Sequence, residues 1–262
     1  MKTTAKTIVS AVFAMTLTAC ASTQQAADVQ PVDNDPIEPF NRAMFQVHDV
    51  LDQAVVYPVA WTYKNVLPNQ FQYYIHSFLT NLGAPVVFLN DVLQGNGDRA
   101  FNTFMRFTLN STFGLGGTLD FATEAGFPAH DEDFGQTLAV WGVESGPYIF
   151  LPLIGPTNPR DAVGRVVDSF ADPFNWAARH NDWEGFMYGR LAAEGIDRRA
   201  RLIPYYDDLR DSSVDFYATL RSAYGQRRAA EIRNQETGDA QLPNYEFDVP
   251  DEPAETPAKP AS

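Results

Sequence analysis

The residues in this chain that could do chemistry are few and scattered. Its four histidines, His48, His76, His130 and His180, stand far apart, none in an H-E-x-x-H spacing and none near the single cysteine, so no metal site is legible. Each is read as solvent-facing or hydrogen-bonded in packing. No G-x-S-x-G elbow, P-loop or dinucleotide fingerprint occurs, and no nucleophile–base spacing can be read, so the chain is read as no enzyme and no cofactor is expected. Asp131-Glu132-Asp133 lacks the alternating ligand spacing of a calcium loop and reads as a solvated turn. Gly114-Leu115-Gly116-Gly117 lacks the Lys and Ser/Thr of a phosphate-binding loop and reads as helix punctuation.

Cys20 is different, because its surroundings explain it. Lys2 and Lys6 open the chain, an apolar stretch runs from Ile8 to Leu17, and Leu17-Thr18-Ala19-Cys20 follows. This is a secretory signal, too short in its apolar part to span a bilayer. A lone cysteine in an exported protein pairs between chains, stays a free thiol or is modified. Its place at the end of a lipobox-like stretch favours lipidation. Ala21-Ser22, with no Asp beside the cysteine, suggests sorting to an outer membrane by likeness to bacterial lipoproteins.

The elements behind these residues follow from composition and pattern. A chain of 262 residues, 45% hydrophobic and 13% aromatic, is long enough for a substantial folded core. A formal charge of −14 argues against nucleic acid as a partner. The chain divides into a signal peptide (1–19), a lipidated tether (20–34), a helical domain (35–232) and a disordered acidic tail (233–262). Asp35-Pro36 reads as a capped helix start ahead of Phe40, Met44, Val47 and Leu51 at helical spacing. Pro58 and Pro68 bound a second segment, and Phe71 to Leu82 carries an unbroken helical stripe. A further segment is expected from Pro85 to Gly95, another from Asp98, and a last pair from Trp183 to Ile203 and from Leu209 to Ile232. For any one helix the simplest expectation is a stripe facing a soluble core, yet amphipathic helices on a lipid-anchored protein also suit a membrane interface.

One stretch fits none of these helices. Gly146 to Pro156, GPYIFLPLIGP, is an apolar run between Gly/Pro pairs. A core strand is the simple reading, and Pro152 counts against it, since proline cannot donate to a ladder. The alternative is a hinged apolar hairpin, with Tyr148, Ile149, Phe150, Leu151, Leu153 and Ile154 touching lipid. At its base, Arg160 and Asp161 would pair with each other or with a lipid head group, or simply form a surface pair at a helix start.

Several ordered motifs resemble the MlaA (VacJ) family of outer-membrane lipoproteins. They run from Asp35-Pro36-Ile37-Glu38-Pro39-Phe40-Asn41-Arg42 through Leu93-Gln94-Gly95, Arg106-Phe107, Asn110-Ser111-Thr112 and Phe134-Gly135-Gln136-Thr137-Leu138. They continue through Trp141-Gly142-Val143, Gly146-Pro147-Tyr148, Leu151-Pro152 and Gly155-Pro156 to Arg160-Asp161. The resemblance covers about Asp35 to Tyr224. It implies a mainly α, single ring-like domain of amphipathic helices in the inner leaflet of a bacterial outer membrane, lipid-anchored on the periplasmic face, with an apolar hairpin bordering a central channel. It further implies removal of misplaced phospholipids from the outer leaflet. The implied partners are trimeric porin and a periplasmic lipid-binding carrier linked to an inner-membrane ABC transporter. The family's hairpin maps onto Gly142 to Gly164. A structural lipoprotein scaffolding porins or the envelope is the alternative, and a lipid-cleaving enzyme a weaker third.

Overall fold

A computed structural model describes residues 35–234. The expected signal peptide, Cys20, the expected tether and all of the expected tail (233–262) but its first two residues lie outside the described residues. The fold is mainly helical. Helix α1 (Glu38–Leu51) runs through a π-helical segment (Asp52–Val56) into α2 (Tyr57–Val66), and α3 (Asn69–Leu93) is followed by α4 (Gly97–Thr112). A short α5 (Phe121–Glu124) and α6 (Phe134–Val140) lead into a two-stranded hairpin, β1 (Ile149–Leu151) and β2 (Gly155–Thr157). Helices α7 (Pro159–Ala171), α8 (Pro173–His180), α9 (Glu184–Ser212) and α10 (Phe216–Ile232) complete the described chain. No described helix is long and apolar enough to cross a membrane.

Side-chain caps set most helix starts. Asn96, Asp120, Asp133, Asn158, Asp172 and Asp215 each accept from a backbone N–H in the first turn that follows, satisfying donors that would otherwise have no partner. The expected cap at Asp35 is not made: α1 begins at Glu38 with no side-chain cap. The Asp35 carboxylate instead accepts from Asn41 in the first turn of α1 and from Tyr217 and Arg221 far along the chain.

Two predicted breaks are absent. Helix α3 passes through Pro85 and α9 through Pro204, although proline removes a ladder bond. Tertiary contacts hold the helix on both sides of each. Around Pro85, Asn81 donates to Ser111 (3.0 Å) and Asn90 to Asp168 (2.9 Å). Around Pro204, Arg199 grips Asp52 (2.7 Å) and Arg210 pairs with Asp49. Gly95, at φ 76°, ends α3 as expected. After α4 the chain turns so tightly that a Cβ on Gly114 would lie 2.2 Å from the Leu119 carbonyl oxygen, so only glycine fits.

The distribution of polarity is inverted relative to a water-soluble domain. Among the described residues, buried polar and charged side chains outnumber buried apolar ones, and many of the latter are alanines. Two small apolar clusters exist, Tyr148–Phe150–Tyr217–Leu220 and Ala60–Ala200–Ile203. The helix stripes expected to face a core are largely exposed, Phe40, Val47 and Leu51 on α1 and Phe101 and Phe104 on α4, and so is a further stripe on α7, Val163, Val166 and Phe170. Burial of helix against helix therefore rests on polar bonds. Arg106 binds Asp120 (2.8 Å), Arg190 binds Asp172 (2.6 Å), and Arg99 binds Glu132 (2.9 Å). Asp131-Glu132-Asp133 is thus not a solvated turn: Glu132 is buried against Arg99 and Gln94, and Asp133 caps α6 and pairs with Arg228.

Candidate functional site: the hairpin and its ion-paired base

Residues 142–161 carry the features that singled out this region, and their local geometry follows from residue type. Gly142 and Gly146 have positive φ of 87° and 72°, which a residue with a side chain rarely adopts. Pro147 leads into β1. Phe150 stands opposite Pro156 in the antiparallel register. Proline costs no ladder bond there, because the Phe150 N–H turns away from β2 and donates to Asn41 Oδ1 at 3.0 Å. Asn41 Nδ2 in turn donates to the Tyr148 carbonyl at 3.0 Å. The amide of one fully buried asparagine on α1 therefore does the work of a third strand at the hairpin edge. At the tip Pro152 lies in the turn, Leu153 takes φ 67° and Gly155 φ 89°, and the Leu153 N–H donates to His48 Nδ1 at 3.0 Å.

Strand alternation divides the apolar side chains. Tyr148 and Phe150 point inward, Phe150 at 0% exposure, with its ring edge-on to Phe45 at 5.4 Å and beside His48 at 5.3 Å. Ile149 and Leu151 are half-buried, while Leu153 (63%) and Ile154 (58%) are exposed at the tip. The expectation that all six would touch lipid is corrected for Tyr148 and Phe150, whose surroundings are protein. Both simple readings hold in part: this is a strand with a core-facing side, and a hairpin with an apolar tip.

The base is a buried charge network. Asn158 caps α7 by accepting from Asp161 N (2.9 Å), and Arg160 pairs with Asp161 at 3.0 Å, both buried. The surface-pair reading of Arg160 and Asp161 is therefore wrong. Asp161 also receives Arg228 (2.8 Å) and the hydroxyl of Tyr224 (2.7 Å), and Arg228 reaches on to Asp133 (2.7 Å). Burial pushes the Asp161 carboxyl up, but Arg228 and Arg160 outweigh it and hold the group below its ordinary range. Asp133 is held low in the same way, with Arg228 overcoming its desolvation. Burial raises the Tyr148 and Tyr224 phenols, so both stay protonated. Close packing completes the base: a Cβ on Gly164 would lie 2.4 Å from Gly135 N.

Sequence spacing located the hairpin and Arg160–Asp161 and missed Asn41, Asp133, Tyr224 and Arg228 as their partners. Asn41 lay within a quoted motif without a role. Arg228 had no local signal, since its carboxylates lie 67 and 95 positions away along the chain. Among the described residues no group of His, Cys, Asp and Glu is arranged to hold a metal. The histidines make packing bonds as expected: His76 with Asp197 (2.8 Å), His130 with Asp91 (3.1 Å), and His180 stacked on Trp176.

Comparison with known proteins places this architecture. The family model for MlaA lipoprotein matches residues 33–231. A Haemophilus influenzae protein named "Intermembrane phospholipid transport system lipoprotein MlaA" is 37% identical over 231 residues, 86% of this chain and 89% of that one. Its namesake in Escherichia coli is 35% identical over 234 residues, covering 86% and 90%. An uncharacterized Rickettsia felis protein is 38% identical over 200 residues, covering 76% and 78%. A solved structure described as "Structural basis for maintenance of bacterial outer membrane lipid asymmetry" superposes with a TM-score of 0.67 at 34% identity, covering 76% of this chain and 98% of that one. With matches of this extent over the hairpin, its base and the helices that hold them, the chain belongs to the MlaA lipoprotein family.

Proposed function

We propose that this chain is an outer-membrane lipoprotein that carries misplaced phospholipid out of the outer leaflet and hands it to a periplasmic carrier, maintaining lipid asymmetry. The observation that carries this reading is the inverted polarity: exposed apolar faces outside and buried, paired charge within. Exposed Phe, Val and Trp side chains suit a lipid surround, and a polar interior suits a wetted head-group path, because desolvating an unpaired charge is very costly. In this reading the domain sits ring-like in the inner leaflet, the hairpin Gly142–Gly164 borders its channel, and Leu153 and Ile154 meet acyl chains. Cys20 is the lipidated residue, which with the amphipathic helices supplies two anchoring signals. Trimeric porin and a carrier linked to an inner-membrane ABC transporter are its partners. The chain does no catalysis: it lowers a barrier, and direction comes from the coupled machinery.

Photo-crosslinking in living cells tests this, with a photoreactive phenylalanine analogue at Leu153 and, as an internal control, at Phe150. Phospholipid adducts at Leu153 and protein adducts at Phe150 are expected. Adducts at Leu153 to porin alone, with no lipid, would replace transport by the scaffold reading.

A further inference from the structure

Away from the hairpin, a groove of about 420 Å³ opens between the start of α4 and the stretch 127–130 that leads towards α6. One wall is formed by Asp98, Arg99, Phe101 and Asn102, the other by residues 127–130. Polar bonds hold the two walls together. Asn102 Nδ2 donates to the Pro128 carbonyl at 2.7 Å, His130 Nε2 lies 3.1 Å from the Asp91 carboxylate, and Thr103 Oγ1 donates to that same carboxylate at 2.6 Å. The stretch 127–130 is thus fixed against α3 and α4, and the groove is formed without a ligand to shape it.

The groove's charge is unbalanced towards the acidic side. Arg99 is the single arginine of its lining and already faces two carboxylates, Glu132 at 2.9 Å and Asp91 at 3.8 Å. Asp98 is exposed, and among the described residues it enters no ion pair. Beside it the rings of Phe101 and Phe127 meet edge to face with centroids 6.4 Å apart. A carboxylate next to aromatic rings attracts a cation and repels an anion. A head group carrying both charges can set an ammonium against Asp98 and turn its phosphate towards Arg99, whereas one carrying phosphate alone leaves Asp98 unmatched. The apolar surface also continues beyond the groove. Phe101, 60% exposed, shares a helix face with Phe104 one turn on, and the Phe104 ring lies 6.2 Å from that of Phe88 on α3. The ligand that fits is cationic at one end and apolar at the other.

We propose that this groove receives the ammonium head group of a zwitterionic phospholipid, with Asp98 and the Phe101–Phe127 pair selecting the head group and Phe104 and Phe88 receiving an acyl chain. This rests on the transport reading above and adds which head group is preferred. Soluble phosphoethanolamine shares the head-group chemistry but cannot use the Phe104–Phe88 face.

The test is calorimetric titration of the full chain, in a nonionic detergent free of phosphate and amine, with short-chain phosphatidylethanolamine, with phosphatidylglycerol of the same chains, and with soluble phosphoethanolamine. Wild type is expected to prefer phosphatidylethanolamine about tenfold, of which an exposed ion pair supplies up to about fivefold and a ring face about twofold or more. Asp98→Asn should reduce that preference about fivefold, and the double variant Phe101→Leu, Phe127→Leu about twofold or more. The ratio of the two lipid affinities is the readout, because a general loss of folding weakens both alike, and circular dichroism melts check that the variants fold. Equal affinity of wild type for the two lipids, or an undiminished preference in Asp98→Asn, would overturn the ammonium site alone. Phosphoethanolamine binding as tightly as the lipid would overturn the acyl-chain assignment. Failure of wild type to bind either lipid would instead strike the transport reading on which the site rests.

Discussion

Asn41→Ala isolates the bond that ties the hairpin to α1. The substitution removes two bonds of 3.0 Å, to Phe150 N–H and Tyr148 C=O, and a third of 2.7 Å to Asp35. The hairpin groups are buried, so water cannot replace the amide, and an orphaned buried donor or acceptor costs about 1–3 kcal/mol. Two such groups imply a loss of about 2–6 kcal/mol, confined at first to the hairpin, because Phe45, Tyr217 and Leu220 still pack beneath it. Amide hydrogen exchange reads this locally. With about 1.4 kcal/mol per tenfold change in an equilibrium, exchange at Phe150 should accelerate about thirtyfold or more, while amides in the middle of α3, such as Leu79, change far less. Unchanged protection at Phe150, or equal acceleration at Leu79, would refute the assignment of Asn41 as the hairpin's pin.

Arg228→Met removes the cation that Asp161 and Asp133 share; buried Asp161 keeps Arg160 and Tyr224 and Asp133 is partly exposed, so the loss in urea denaturation should be about 1–3 kcal/mol; a loss under about 0.5 kcal/mol would show the network to be dispensable. Gly164→Ala forces a Cβ to within 2.4 Å of Gly135 N, and the α6–α7 contact should open at a cost of about 1–3 kcal/mol or more in a thermal melt. His48 is held below its ordinary value, by burial first, so the unfolded chain takes up its proton at higher pH than the folded one. Stability linked to His48 is thus complete above an unfolded pKa of about 6.5 and is lost as pH falls toward the folded value. Protonation also removes the acceptor for Leu153 N–H, so in wild type the Leu153 amide should lose exchange protection as pH falls below the ordinary histidine range, and a His48→Gln variant should lack that pH dependence.

Helix existence was legible because stripes such as Phe71 to Leu82 repeat locally, and Gly95 marked the end of α3, whereas the one cap expected, at Asp35, is not made. Breaks at Pro85 and Pro204 were misplaced because what keeps those helices continuous is remote: Ser111 and Asp168 for one, Asp52 and Asp49 for the other. The hairpin was legible as a composition, but its split into core-facing and exposed sides depends on remote partners, Asn41, His48 and Phe45 on α1. Charge was read worst. Asp35, Glu132 and Asp161 look like a cap, a turn and a surface pair, and each is a member of a buried network whose other half lies tens of positions away. Polar pairing across distance leaves no periodicity for a sequence to display.

The inversion of polarity also governs how such a chain must be handled before it reaches its working place. A soluble domain hides its adhesive surfaces by folding. Here folding leaves Phe101, Phe113, Leu115, Phe170 and Leu191 facing outward, so completing the fold does not end the risk of self-association. Any passage through water therefore calls for an escort that shields the finished surface rather than a folding helper that releases it, and the same holds at the bench when detergent is withdrawn.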